Sequence, residues 1–168
     1  GPSGYSPEPC NDEKHFRIVH QAFELWFKLA LSELKEVHKL MNSNSINEHS
    51  MPKIVHHMKR VSEVFSLMSQ QWKVMETLTP QDFLSFRDRL GTSSGFESWQ
   101  LRQIEIILGL EQQQRDAGMD PLSHMKQLNS EGKISSKVLE EFEAMINSPS
   151  LNDLLTNWLY RTPINGSL

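Results

Sequence analysis

The sequence predicts an all-α fold, a helical bundle. Three observations carry this. Within Asp12–Leu34, apolar residues recur at Phe16, Val19, Phe23, Trp26, Phe27, Ala30, Leu31 and Leu34, the spacing of one helical face. Further on, Ile54, Met58, Val61, Phe65, Met68, Trp72 and Met75 alternate four and three apart through three heptads. That is the seam of a helix packed nearly antiparallel on a neighbour. Nowhere does the chain alternate apolar and polar residues as a half-buried strand would.

The elements follow in order. Residues 1–11 hold Gly, Pro, Ser and Asn without a period and read as a flexible N-terminal arm. A first helix is expected from about Asp12 to Met41, its acidic residues facing the positive end of the helix dipole. Ile18, Ala22, Leu25 and Leu29 add apolar surface opposite the main face, leaving a strip of Arg17, Gln21, Glu24, Lys28 and Lys35. So much apolar circumference predicts a helix inside the protein.

Asn42–Asn47 is a polar turn, after which Ser50 is expected to cap a second helix with Pro52 in its first turn. Thr79-Pro80-Gln81-Asp82 starts a short third helix that stops at Gly91, and Thr92-Ser93-Ser94-Gly95 is a tight loop. Phe96–Leu110 returns to helical spacing and ends at Gly109 and a polar run through Gly118. Asp120-Pro121 opens a fifth helix, Ile134–Ile146 a sixth, and Leu151–Tyr160 a seventh, capped by Ser150. Residues 12–163 thus read as one α-helical domain.

Bulk properties narrow the function. The 168 residues are 38% hydrophobic and 23% charged, enough for one buried core. A formal net charge of -4 argues against a nucleic-acid partner. No apolar run is long enough to span a membrane. The single Cys10 cannot form an internal disulfide and fits a reducing compartment, so a cytoplasmic location is expected. The chain opens on Gly1-Pro2-Ser3-Gly4 without Met, so the parent protein is expected to be longer.

Two residues stand out chemically. His20 lies between Phe16 and Phe23 on the broad apolar face of the first helix. A histidine there is either a ring satisfied within the core or a functional group. Arg87 shares a helical face with Phe83, four residues earlier. A guanidinium beside an aromatic ring suits a ligand with a carboxylate and a flat apolar body. Taken alone, a salt bridge to Asp82 or Asp88 on a solvated face is the more ordinary account. The Gly91–Gly95 loop lets backbone approach a ligand, or simply turns the chain. Metal-ligand spacing is poor: His56 and His57 point about 100° apart on a helix. His15 and His20 are five apart, and no HExxH, CxxC or Glu-x-x-His pair occurs.

These stretches together resemble the tryptophan 2,3-dioxygenase family of haem enzymes. The matching pieces are Asp12-Glu13 with Phe16, then His20-Gln21-Ala22-Phe23-Glu24-Leu25-Trp26-Phe27-Lys28. Met58-Lys59-Arg60-Val61, Thr79-Pro80-Gln81-Asp82-Phe83, Phe86-Arg87-Asp88-Arg89-Leu90, Ser93-Ser94-Gly95-Phe96-Glu97-Ser98 and Trp158-Leu159-Tyr160-Arg161-Thr162-Pro163 follow in order.

The resemblance implies a haem b oxygenase that inserts O2 across the indole C2–C3 bond of L-tryptophan, or of a related aromatic amino acid. It implies His20 as the catalytic distal histidine over the haem, contacting the indole N–H. It implies Phe16 and Phe83 as walls for the indole and Arg87 as the carboxylate clamp. Ser93, Ser94 and Gly95 would lie against substrate and haem edge. It also implies a homo-oligomer, usually a tetramer. Two positions depart from the family: Phe23 where Tyr is usual and Glu97 where Gln is usual. The proximal haem histidine, which the family supplies from a later helix, has no counterpart here. The chain is then expected to be a piece of a longer protein, one half of a split enzyme, or a relative that lost the chemistry. The alternatives in function are a mono-oxygenating relative and a helical binding or assembly module without haem.

Overall fold

The structure, a computed structural model, describes residues 8–43, 46, 49–90, 98–110 and 120–162. Among these the chain forms seven α-helices and one 3-10 turn, with no strand. The helices are α1 (Asn11–Met41), α2 (Ser50–Met75), α3 (Pro80–Phe86), α4 (Trp99–Leu108), α5 (Pro121–Ser130), α6 (Ser136–Ile146) and α7 (Leu151–Arg161). The 3-10 turn, Arg87–Leu90, continues directly from α3. Most of the arm expected over residues 1–11, and the loop 91–97, lie outside the described residues.

Helix starts follow side-chain chemistry. Thr79, Ser98, Ser135 and Ser150 each accept a backbone N–H of the first turn through their hydroxyl oxygens, and Asp120 does so through its carboxylate. Ser150 and Asp153 form a reciprocal capping box. Ser50 does not cap α2 as expected. It is the first helical residue, and His49 holds the cap position without a side-chain bond. At the other end of α4, Gly109 adopts a left-handed φ of 85° and stops the helix.

The long pair α1 and α2 forms the spine, and α4 and α7 pack on α1. The main core runs along Val19, Phe23, Ala30, Leu31, Leu34, Val37 and Met41 of α1, against Ile54, Val61, Val64 and Met68 of α2 and Ile104 and Ile107 of α4. A second core gathers Met125 and Leu128 of α5, Phe142 of α6 and Ile106 of α4. Burial of these side chains stabilises by roughly 1.5–3 kcal/mol each before ordering costs.

Two expectations about burial change. In α2 only one half of the heptad seam is inside. Ile54, Val61 and Met68 are buried with Val64, while Met58, Phe65 and Trp72 are open. The helix meets α1 along a single line, so the second line of the seam is left to solvent. In α1, Ile18 is 63% exposed and Leu25 67% exposed, because α2 and α4 cover the Val19–Phe23–Ala30 side. That helix is amphipathic here, not enclosed. No described helix is long and apolar enough to cross a membrane.

Candidate functional site

A groove of about 1100 Å³ opens along α1, at the large end of the range for small-molecule sites. His20, Phe16, Phe23 and Phe27 line it from α1, Phe65, Met68 and Trp72 from α2, and Trp99 and Gln100 from α4. The strip Arg17, Gln21, Glu24 and Lys28 forms a polar border. Gln100 is buried and its amide N–H donates to both the backbone carbonyl (2.9 Å) and the carboxylate (2.7 Å) of Glu24. That bond anchors α4 to the border.

His20 is held in one tautomer. Its Nδ1 lies 2.8 Å from the Phe16 carbonyl oxygen, one turn earlier in α1. A carbonyl only accepts, so Nδ1 carries the proton. In the neutral ring Nε2 is then a bare acceptor. The ring also stacks on Phe16, with centroids 4.1 Å apart and planes tilted by 39°.

Phe16 joins the two parts of the site. It also meets Phe83 at 5.5 Å and Phe86 at 5.7 Å between centroids. Phe83 and Phe86 are themselves edge-on at 5.6 Å. Phe86 is 1% exposed and anchors α3 to α1. The Arg87 guanidinium carbon sits 6.0 Å from the Phe83 ring centroid, at the edge of cation–π range. His20, Phe16, Phe83 and Arg87 therefore form one contiguous chain of contacts. His20 and Phe16 face the groove; Phe83 and Arg87 stand behind Phe16 and are not among the groove's lining residues. Leu90 and Arg89, from the same 3-10 turn, do line it. Ser93, Ser94 and Gly95 lie outside the described residues.

His15, His38, His56 and His57 are engaged elsewhere, and the buried Nε2 of His124 has no hydrogen-bond partner. His15 Nε2 donates to the Val74 carbonyl at 3.1 Å, and His38 Nε2 to that of Pro149 at 2.8 Å. His57 bonds Glu33, and His56 accepts from Arg60. None of these lines the groove, so His20 is its only described imidazole.

Several polar residues that matter were not apparent as such in the sequence. Glu13, read there as a dipole partner, is 2% exposed. Glu33 and Gln103 are buried as well. The available signal was positional: Glu13 precedes Phe16 and His20 by three and seven residues, which puts all three on one helical face.

The sequence pattern of the family described as tryptophan 2,3-dioxygenase matches residues 3–167. The chain is 42% identical over 162 residues to the tryptophan 2,3-dioxygenase of Sorangium cellulosum, covering 94% of this chain and 38% of that protein. It is 40% identical over 168 residues to tryptophan 2,3-dioxygenase 2 of Ralstonia nicotianae, covering 99% of this chain and 46% of that protein. Against the enzyme of that name from Alteromonas mediterranea it is 40% identical over 155 residues, with 92% and 41% covered. The chain thus spans less than half the length of these relatives, but the match runs through every described helix. It belongs to the tryptophan 2,3-dioxygenase family.

Proposed function

We propose that this chain forms the indole-binding side of a haem-dependent dioxygenase that converts L-tryptophan to N-formylkynurenine. The observation that carries the reading is the fixed tautomer of His20, a residue of the aromatic groove, which leaves Nε2 as the acceptor of the neutral ring. An indole N–H is the complementary donor. Phe16 supplies an aromatic wall on which an indole can stack. Arg87, beside Phe83 in the 3-10 turn that follows α3, is the group for the substrate carboxylate. The aromatic lining keeps water from the reacting carbon atoms.

The groove suits haem b in size and in its walls of Phe23, Phe27, Phe65, Met68 and Trp72. It offers no described histidine opposite His20 to serve as axial ligand. Bound haem would supply the oxygen chemistry, and the walls just named would hold it together with a ligand from polypeptide beyond the described residues or from a second chain. What the present residues do is independent of that supply. They orient the indole, hold its N–H proton on His20 Nε2 and bind its carboxylate.

Reconstitution with haem tests this. The chain, alone and joined to the remaining portion of a full-length relative, should give a Soret band that shifts on adding L-tryptophan. Failure of both to bind haem would leave a helical binding or assembly module in its place.

A further inference from the structure

We propose that Glu13 is a positioning residue. Its buried carboxylate fixes the 3-10 turn after α3, and with it Arg87, against the His20 face of α1. The functional consequence rests on the reading of Arg87 given above; the mechanical one does not.

Glu13 is 2% exposed in the first turn of α1. Burying a carboxylate is costly unless cations meet it. Here two do. Arg17 Nη2 pairs with Oε1 at 2.7 Å from the next turn of the same helix. Arg89 Nη1 reaches Oε2 at 3.6 Å from the 3-10 turn. Both guanidinium side chains are about half exposed, 50% and 46%, so only the carboxylate is fully desolvated. Oε2 has no hydrogen bond and depends on Arg89 for its compensation. Interaction with the helix dipole does not explain the burial, because Asp12, beside it and exposed, provides that charge already.

The geometry gives the pair its role. The segment Pro80–Leu90 rests on α1 through Phe83 and Phe86 against Phe16. An aromatic patch resists separation but only weakly resists rolling, since it is non-directional. The Arg89–Glu13 pair is a second attachment, near the other end of the segment. Two attachments fix its rotation, and Arg87 lies between Phe86 and Arg89.

Amide hydrogen exchange on the full chain tests this directly. Glu13→Gln keeps the shape and removes the charge. Exchange over residues 83–90 should speed up about tenfold or more, while residues 54–68 of α2 keep their protection. Unchanged exchange over 83–90 overturns the proposal. Should Glu13→Gln unfold the chain, Arg89→Met removes the partner from the solvent side; the same local loosening is expected, and its absence is equally fatal. A second readout reports on Arg87. In haem-loaded protein, Glu13→Gln should weaken L-tryptophan about tenfold and leave indole, which has no carboxylate, unaffected. Equal weakening of both ligands overturns positioning through Arg87. If the unsubstituted protein binds neither, the proposed function fails, and exchange alone still decides whether Glu13 holds the turn.

Discussion

His20 Nδ1 donates to the Phe16 carbonyl at 2.8 Å, so backbone geometry rather than a second side chain sets the histidine's tautomer. An N–H ligand therefore meets a lone pair at Nε2. In haem-loaded protein, His20→Ala should weaken L-tryptophan by about 1 kcal/mol, the scale of one hydrogen bond. A ligand methylated at the indole nitrogen cannot make that bond. Its affinity relative to L-tryptophan should be poor in the unsubstituted protein and comparable in His20→Ala. An unchanged ratio measured by titration would remove His20 from the indole contact.

On the proposed reading, Arg87 makes the second polar contact. Arg87→Ala should weaken L-tryptophan by about 2–4 kcal/mol, because the substrate carboxylate would lose its charged partner. Calorimetric titration checks this. Equal affinities for the two proteins would assign Arg87 to the fold alone.

The helices were legible from periodicity and caps, since Pro80, Asp120, Ser135 and Ser150 act locally. Burial was less legible. A heptad names two lines of apolar residues but not how many neighbours exist to cover them, so Phe65 and Trp72 were expected inside and stand at the open groove. Of the candidate site, His20 and Phe16 fell on the groove through their helical face. Phe83 and Arg87 joined them through tertiary packing of α3 on α1, which spacing within one helix cannot encode. Glu13 does stand in the first turn of α1 as expected, but its burial was not legible, because it depends on Arg89, 76 residues away.

Gln103 is fully buried, and neither its amide nitrogen nor its carbonyl oxygen has a hydrogen-bond partner. Each unmade bond carries a desolvation penalty. Gln103→Met keeps the side-chain length and removes the amide. It should raise stability by about 1–2 kcal/mol in urea unfolding. A loss of stability would mean that the amide has partners in solution.

Glu33 links α1 to α2 through His57 Nδ1 at 2.6 Å and Arg60 Nη1 at 2.8 Å. Burial pushes its carboxyl up, but the His57 and Arg60 bonds and charges outweigh this and hold it below the usual glutamate value. A carboxyl lowered in the folded state contributes stability above its unfolded pKa, and that contribution fades as pH falls through the folded value. Stability should thus decline as the solution is acidified below about pH 4.3, the ordinary glutamate value. Glu33→Gln should lower stability at neutral pH and flatten this acid slope. Denaturant midpoints between neutral pH and pH 3 measure it, and an unchanged slope would place the acid sensitivity elsewhere.

Gly109 and Gly132 separate two costs of a side chain at positive φ. Gly132 has φ 71° with nothing near the position of a Cβ. Gly132→Ala should cost about 1 kcal/mol, the backbone penalty alone. Gly109 has φ 85°, and a Cβ there would lie 2.5 Å from Ser150 Oγ and 2.9 Å from Ser150 Cβ. Ser150 is tied into its capping box with Asp153, so it cannot swing aside without uncapping α7. Gly109→Ala should therefore add the lost cap, about 1 kcal/mol, and the displacement of α7 to the backbone penalty. The two variants should differ by at least that amount in thermal or urea unfolding. Pairing Gly109→Ala with Ser150→Gly should recover part of the loss, because the clash is with that side chain. If the single variants cost the same, α4 and α7 are not in fixed contact at this point.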